Sequence, residues 1–285
     1  MGFKQKIINN KDYILFPIET NYIKPNDSLD TILNKTISLV EDNDYLVIAE
    51  TPIAISQGRL VDESGYTPSL QAKFLAFVWS KYVWGYILGP ILKIKKRTMI
   101  NLRKLPPEAA QHKEVVLELY GWRHGLKPAS EAGIDLSNVP GTFVSLLPKN
   151  PDKIAKNLSK TLKKLSGKEV NVLIVDSDAT YKIKNKYFTG LPIAIPPIKA
   201  NMGVFAYILG QIFSNCGPTI IASSSSVDIG EGLKIANICE EYQKLNNNIE
   251  TIHDMKEKLD KDDVVSVEDL ESIVHTPAII VRKTY

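Results

Sequence analysis

Two short segments place acids where a tight turn or a buried strand would hold them. The first is S-E-A-G-I-D-L-S-N-V-P-G, residues 130–141, in which Asp135 follows Gly133. The second is V-L-I-V-D-S-D-A-T, residues 172–180, where an apolar run leads directly into Asp176, Ser177 and Asp178. Hard cations such as Mg²⁺ and Mn²⁺ prefer oxygen ligands, commonly one or two carboxylates completed by hydroxyls, water and substrate phosphate. Asp135, Asp176 and Ser177 meet that requirement. The plainer alternative stays open at this point: Asp135 caps a turn, Asp176 pairs with a lysine, and the strand simply ends in a polar loop.

Other chemistries find little support. The chain has no G-x-x-x-x-G-K-[ST], no G-x-G-x-x-G and no G-x-S-x-G, so no P-loop, Rossmann phosphate turn or nucleophile elbow is written in it. His112, His124, His253 and His275 are scattered without zinc-site spacing. His112 and His253 are expected on solvated helical segments. S-S-S-S at 223–226 reads as a polar loop.

The elements that must position the acids alternate between strand-like and helix-like segments. Residues 13–18, 45–49, 170–175, 219–222 and 278–281 read as strands from their β-branched and apolar content. Helical spacing appears at 29–40, 106–120, 151–166, 203–213 and 230–244. In 151–166, Ile154, Leu158, Leu162 and Leu165 share one face, and Gly167 is the stop. The polar N-N-N at 246–248 reads as a loop. These segments predict a mixed α/β (α+β) fold with mixed sheets and flanking helices, in a single domain over 1–285.

With 285 residues, 44% apolar and 24% charged, the composition is that of an ordinary soluble globular protein. A formal charge of +3 gives no electrostatic footprint for nucleic acid. Cys216 and Cys239 have neither ligand nor disulfide spacing and suit a reducing cytoplasm. The first residues, M-G-F-K-Q-K, lack the apolar core of a signal peptide, and Lys6 stands where a myristoylation motif needs Ser or Thr.

One segment strains the soluble reading. F-L-A-F-V-W-S-K-Y-V-W-G-Y-I-L-G-P-I-L, residues 74–92, is nearly long enough to span a bilayer. Lys81 lies at its middle, and Gly85, Gly89 and Pro90 are expected to break the helix. A buried or subunit-facing helix is the favoured expectation. A weak membrane-surface contact through the following K-I-K-K-R (93–97) is the alternative.

At the acidic loops the chain resembles a family. A-G-I-D-L-S-N-V, with the L-L-P-x-x-P-D run at 146–152 and K-E-V-N-V-L-I-V-D-S at 168–177, is similar to the motifs of the coenzyme F420-0:L-glutamate (γ-glutamyl) ligases. L-F-P-I-E (15–19), D-Y-L-V-I-A-E-T (44–51) and I-S-Q-G-R (55–59) resemble that family's earlier segments. The resemblance implies a γ-glutamyl-ligase-like fold and a homodimer. It also implies a GTP- and Mg²⁺- or Mn²⁺-dependent amide ligase, which joins L-glutamate or a similar amino acid to a carboxylate acceptor. On it, Asp135, Asp176 and Ser177 fall on metal-binding positions, and Arg59, Gln57 and Gln211 on nucleotide or phosphate positions.

The departures are chemical. Ile55 stands where the family has lysine, Ala179-Thr180 where it has Gly-Arg, and Gln211 where it has an acid. Losing fixed cations should weaken a triphosphate site. Residues 66–128 form an aromatic and basic insertion outside the family pattern, whose cations, Lys127 among them, are candidates to replace the lost charge. The chain also diverges from about 180 onward. Three functions therefore remain: a ligase with an altered acceptor, a metal- or nucleotide-binding homologue without turnover, and a membrane-surface or assembly protein using 74–97.

Overall fold

The computed structural model describes residues 8–9, 12–247 and 265–284; His253 lies outside them. The architecture is mixed α/β. One sheet runs in the order β1 (Ile8–Asn9), β2 (Tyr13–Thr20), β10 (His275–Lys283), β3 (Tyr45–Ala49), β6 (Asn171–Ile183), β7 (Lys186–Thr189) and β8 (Ile198–Lys199). Beside this path, β9 (Ser214–Ser223) pairs with β6. β3–β6 and β7–β8 are parallel; the other pairs are antiparallel. A separate ribbon joins β4 (Leu60–Asp62) to β5 (Phe143–Ser145).

Strand periodicity of two sends alternate side chains to opposite faces of this sheet. Leu46, Ile48, Val172, Ile174 and Ile280 pack on one side with α1 (Asp30–Ile37) and α8 (Pro151–Ser166). Val47, Leu173, Ile279 and Val281 pack on the other with Leu233, Ala236 and Cys239 of α10 (Ile229–Asn247). α8 has the expected bounds and ends at Gly167 with φ +73, although Leu165 is exposed. Residues 246–247, expected in a loop, complete the last turn of α10.

Two expectations are corrected. The strand at 170–175 does not end at Asp176 but continues to Ile183. β3 accompanies it only as far as Val175 and β7 joins only at Thr180, while β9 pairs Asp176 with Thr219 and Ala179 with Pro218. Two residues of β6, Ser177 and Asp178, have no counterpart on β9. They form a bulge, which bends a strand and re-aims its side chains.

The second correction concerns 74–92. Helix continues through both glycines: α3 (Leu70–Lys73), a π-helix over Phe74–Leu88 and α4 (Gly89–Ile91) follow without a break. Pro90 lies within this continuous run, one residue after the π-helix passes into α4. Gly89 is needed for close approach, since a Cβ there would meet the Trp84 carbonyl at 2.4 Å. The inner side of the π-helix, with Leu75, Ser80 and Trp84, is buried, while Phe74, Val78, Tyr82 and Tyr86 are exposed. Trp84 packs with Ile94, Leu102 and Val204, which ties the insertion to α9 (Val204–Leu209). Among the described residues no helix is long and apolar enough to cross a membrane.

Candidate metal and ligand-binding cleft

The parallel register of β3 and β6 sets Ala49 beside Val175. β3 ends there and Glu50 follows at once, while β6 runs on through Asp176 into its bulge, so Glu50 and Asp176 lie side by side where the parallel pairing stops. Asp135 arrives from the loop before β5. Its N–H donates to the Ser145 carbonyl at 3.0 Å, and its own carbonyl accepts from the Ser145 N–H at 2.9 Å. One cleft is lined by Glu50, Glu131, Asp135, Asp176, Ser177 and Asp178. The structure thus brings together the three residues expected at a metal.

Close packing holds this geometry. Gly133 has φ +71, and a Cβ there would lie 2.8 Å from Asp176 Oδ2 and 2.7 Å from Leu147 Cδ2. Only glycine tolerates both conditions. Asp135 Oδ1 accepts from the Ser137 N–H at 2.9 Å and from its hydroxyl at 2.5 Å. Thr51 Oγ1 donates to Glu50 Oε1 at 2.7 Å and stands 3.4 Å from Asp135 Oδ2. Asp176 Oδ1 accepts the Asp178 N–H at 2.7 Å, while Oδ2 is buried with no hydrogen-bond partner.

Burial without a counter-cation governs the electrostatics. It pushes the Glu50 carboxyl up to about 7, against a hydrogen bond from Thr51 and with help from the Asp135 charge. Burial, then the Glu50 and Asp178 charges, lift Asp176 well above the usual carboxylate range. Asp135 is raised by burial too, despite its bonds to Ser137. A hard cation fits this donor set: clustered oxygen ligands, an orphaned Asp176 oxygen and an adjoining hydroxyl at Ser177. Among the described residues, no three His, Cys, Asp or Glu side chains are grouped closely enough to hold a metal by themselves.

The insertion closes one side of the cleft. Lys127 is buried, donates to Asp178 Oδ2 at 2.6 Å and also bonds the Ser130 carbonyl. From α6 (Ala109–Tyr120), Lys113 pairs with Glu131 and donates to the carbonyls of Gly125 at 3.0 Å and Lys127 at 2.6 Å. His112, expected in solvent, is half-buried, with Nδ1 2.6 Å from Glu63 Oε1 and Nε2 3.7 Å from Glu131 Oε2. Burial disfavours the charged imidazole, but the Glu131 and Glu63 contacts outweigh it and raise His112 to about 10.

The remaining expected residues lie apart from the acids. Gln57 exchanges two hydrogen bonds with the backbone of Lys149, and Arg59 Nε donates to the Leu147 carbonyl at 3.3 Å. Both brace the 146–149 run and neither lines the acid cleft. Gln211 lines a neighbouring cavity with Ser177 and donates to the Tyr207 carbonyl. Thr180, where the family's arginine would stand, is buried, its hydroxyl 2.9 Å from that of Thr219. Glu50 was missed in the sequence, although E-T follows Y-L-V-I-A just as D-S follows V-L-I-V.

Comparison with known proteins identifies the family. The family model for F420-0:gamma-glutamyl ligase matches residues 17–205. An uncharacterized protein of Methanocaldococcus jannaschii is 41% identical, over 94% of this chain and 95% of its own. The coenzyme F420:L-glutamate ligase of Methanosarcina mazei is 28% identical, covering 74% of this chain and 77% of its own. That of M. jannaschii is 34% identical over 48% of this chain and 49% of its own. With the family model matching residues 17–205, about two thirds of the chain, the protein belongs to the F420-0:gamma-glutamyl ligase family.

Proposed function

We propose that the protein is a GTP- and divalent-metal-dependent amide ligase that joins L-glutamate, or a similar amino acid, to a carboxylate acceptor other than the family's usual one. The observation that carries this reading is that buried Glu50 and Asp176 and half-buried Asp135 line one cleft with no ion-pairing partner among the described residues. Asp135, Asp176 and Ser177 would hold Mg²⁺ or Mn²⁺, with Glu50 beside them. The ion supplies charge neutralisation at the transferring phosphoryl group. A carboxylate oxygen of the acceptor attacks the γ-phosphorus of GTP and GDP leaves. The glutamate nitrogen then attacks the acyl carbon, phosphate leaves, and the surplus amine proton passes to solvent.

The nucleoside has a suitable place next door. A cavity of ≈ 140 Å³ without Asp, Glu, Lys or Arg in its lining includes Tyr22, Thr51, Ile55, Asn138, Gln243 and His275, and Thr51 also touches Glu50. The Thr20 and Tyr22 hydroxyls at this cavity are buried without partners, which suits a ligand with base and ribose polar atoms. Ile55 there replaces the family's lysine, so charge contact with phosphate would rest on the metal.

An altered acceptor is supported by the relatives. M. jannaschii carries both a coenzyme F420:L-glutamate ligase and a second relative, and this chain shares more with the second, at 41% against 34% identity and 94% against 48% of its length. The reading brings with it a homodimer and a cytoplasmic setting. A homologue that binds metal and nucleotide without turnover is the second reading, favoured by Thr180 in place of arginine. Melting temperatures with GTP or ATP, each with and without Mn²⁺, test the pair. The ligase reading expects a rise with GTP and Mn²⁺ together that Asp176→Asn abolishes, and amide formation with some acceptor. No shift in any combination would sink both readings.

A further inference from the structure

We propose that the outer face of the π-helix, with the basic loop that follows it, is a docking surface for an anionic lipid membrane, met in the plane of the headgroups. It stands apart from the ligase reading. From Phe74 to Ile91 the exposed positions are all apolar or aromatic, and none is charged. Lys81, in the middle of that stretch, is half-buried and donates to the Leu105 carbonyl at 3.3 Å. Phe74, Val78, Tyr82 and Tyr86 recur every four residues, which sets them in one row along the helix. Tyr82 and Tyr86 stack there with ring centroids 6.0 Å apart. Leu70, 84% exposed, extends the row at one end, and Ile91, 68% exposed, at the other. A helix face that met only water would be polar, and a contiguous exposed apolar patch marks an interaction surface.

The charge around this row has one sign. Residues 70–105 hold eight lysines and arginines and no aspartate or glutamate. The whole chain carries only +3, so the remainder is net acidic. Lys73 is exposed near one end of the row, and Lys93, Lys95, Lys96 and Arg97 are exposed beyond the other. Arg103 lies over the Tyr86 ring at 4.6 Å and sets a further cation beside the row. An apolar row with tyrosines, bordered by lysines and arginines, suits a helix lying in a membrane interface. Apolar side chains enter the acyl boundary, tyrosines sit at headgroup level, and the cations meet lipid phosphate. A second copy of the chain fits less well. Both ends of the row are basic, so two-fold pairing in either direction sets cation against cation, with no acid in 70–105 to answer them.

Sedimentation of the full chain with phosphatidylcholine vesicles, with and without about one third phosphatidylglycerol, tests this. The protein is expected to pellet with the anionic vesicles, to stay in solution with phosphatidylcholine alone, and to be released by high salt. Lys93→Gln with Lys96→Gln removes two charges at the surface and should lower partitioning about 30-fold. Val78→Ser with Ile87→Ser shortens the apolar row and should lower it about ten-fold. All four residues are exposed and lie outside the acid cleft, so both variants should keep the wild-type melting temperature. No pelleting of wild type with anionic vesicles overturns the proposal. So does pelleting that neither variant reduces, which would put the contact elsewhere on the molecule. If Val78→Ser with Ile87→Ser instead turns a dimer into a monomer in lipid-free sedimentation velocity, the row is an interface between copies and the membrane role falls.

Discussion

Two groups of buried carboxylates flank Gly133, and they titrate in opposite directions. On one side is Glu131: burial pushes it up, yet Lys113 and His112 outweigh that and hold it well below the ordinary range. On the other side are Glu50, Asp135 and Asp176, all raised. Depth does not separate them, because Glu50 and Asp176 are buried like Glu131 and Asp135 is half-buried. The difference is the source of the compensating charge. The insertion brings cations to Glu131 from α6 and to Asp178 through Lys127, and among the described residues none pairs with Glu50, Asp135 or Asp176. Burying charge without a partner is costly, so such a group is either protonated or supplied with a cation from outside. One cluster is therefore finished by folding, and the other is left for a ligand to finish.

The largest effect should come from breaking the finished cluster. Lys113→Met leaves Glu131 buried beside Glu63 with only His112 in compensation, and should cost about 3–5 kcal/mol in denaturant unfolding. Adding Glu131→Gln should recover much of that loss. A cost below about 1 kcal/mol for Lys113→Met would mean that the ion pair is not what distinguishes the two sides.

Next comes the unfinished cluster. Asp176→Asn removes one of three mutually repelling carboxyls, so metal-free protein should be as stable as wild type or slightly more so. With Mn²⁺ at a hundred times its dissociation constant, wild type should gain about 2.7 kcal/mol and the variant almost nothing. A destabilised metal-free variant that still gains from Mn²⁺ would reverse the assignment.

The pH dependence separates the clusters without mutation. Glu50 moves from an ordinary 4.5 to about 7, so between those values the folded form holds more protons than the unfolded. Metal-free stability should therefore fall as pH rises through that window, by up to about 1.4 kcal/mol per pH unit for one such group. Mn²⁺ should flatten the fall, because it binds the ionised acids and releases their protons. His112, raised to about 10, contributes stability that is complete below pH 6.5 and is lost as pH rises toward 10. Mn²⁺ should leave that second decline unchanged. Thermal unfolding across pH, with and without the metal, reads both.

What the sequence disclosed follows the same division. That Asp135, Asp176 and Ser177 share one cleft was legible because a turn glycine or an apolar run fixes where such side chains emerge. His112 was not: its partners Glu63 and Glu131 lie 49 and 19 residues away, and helical spacing alone put it in solvent. The β6 bulge was hidden because the strand's apolar pattern stops at Val175 although its pairing with β9 continues. Gly85 and Gly89 read as breaks when their role is close packing inside a continuous helix.

Gln57 and Arg59 mark where resemblance and geometry part. The family motif assigns them to phosphate, yet Gln57 spends both ends of its amide on Lys149 and Arg59 turns to the Leu147 carbonyl. If bracing is their work, Gln57→Ala loses two exposed hydrogen bonds and costs about 0.5–1 kcal/mol. The GTP–Mn²⁺ melting shift should then keep its full size. A shift reduced along with stability would place the 146–149 run within reach of the nucleotide, and the boundary of the unfinished cluster would have to be drawn wider to include it.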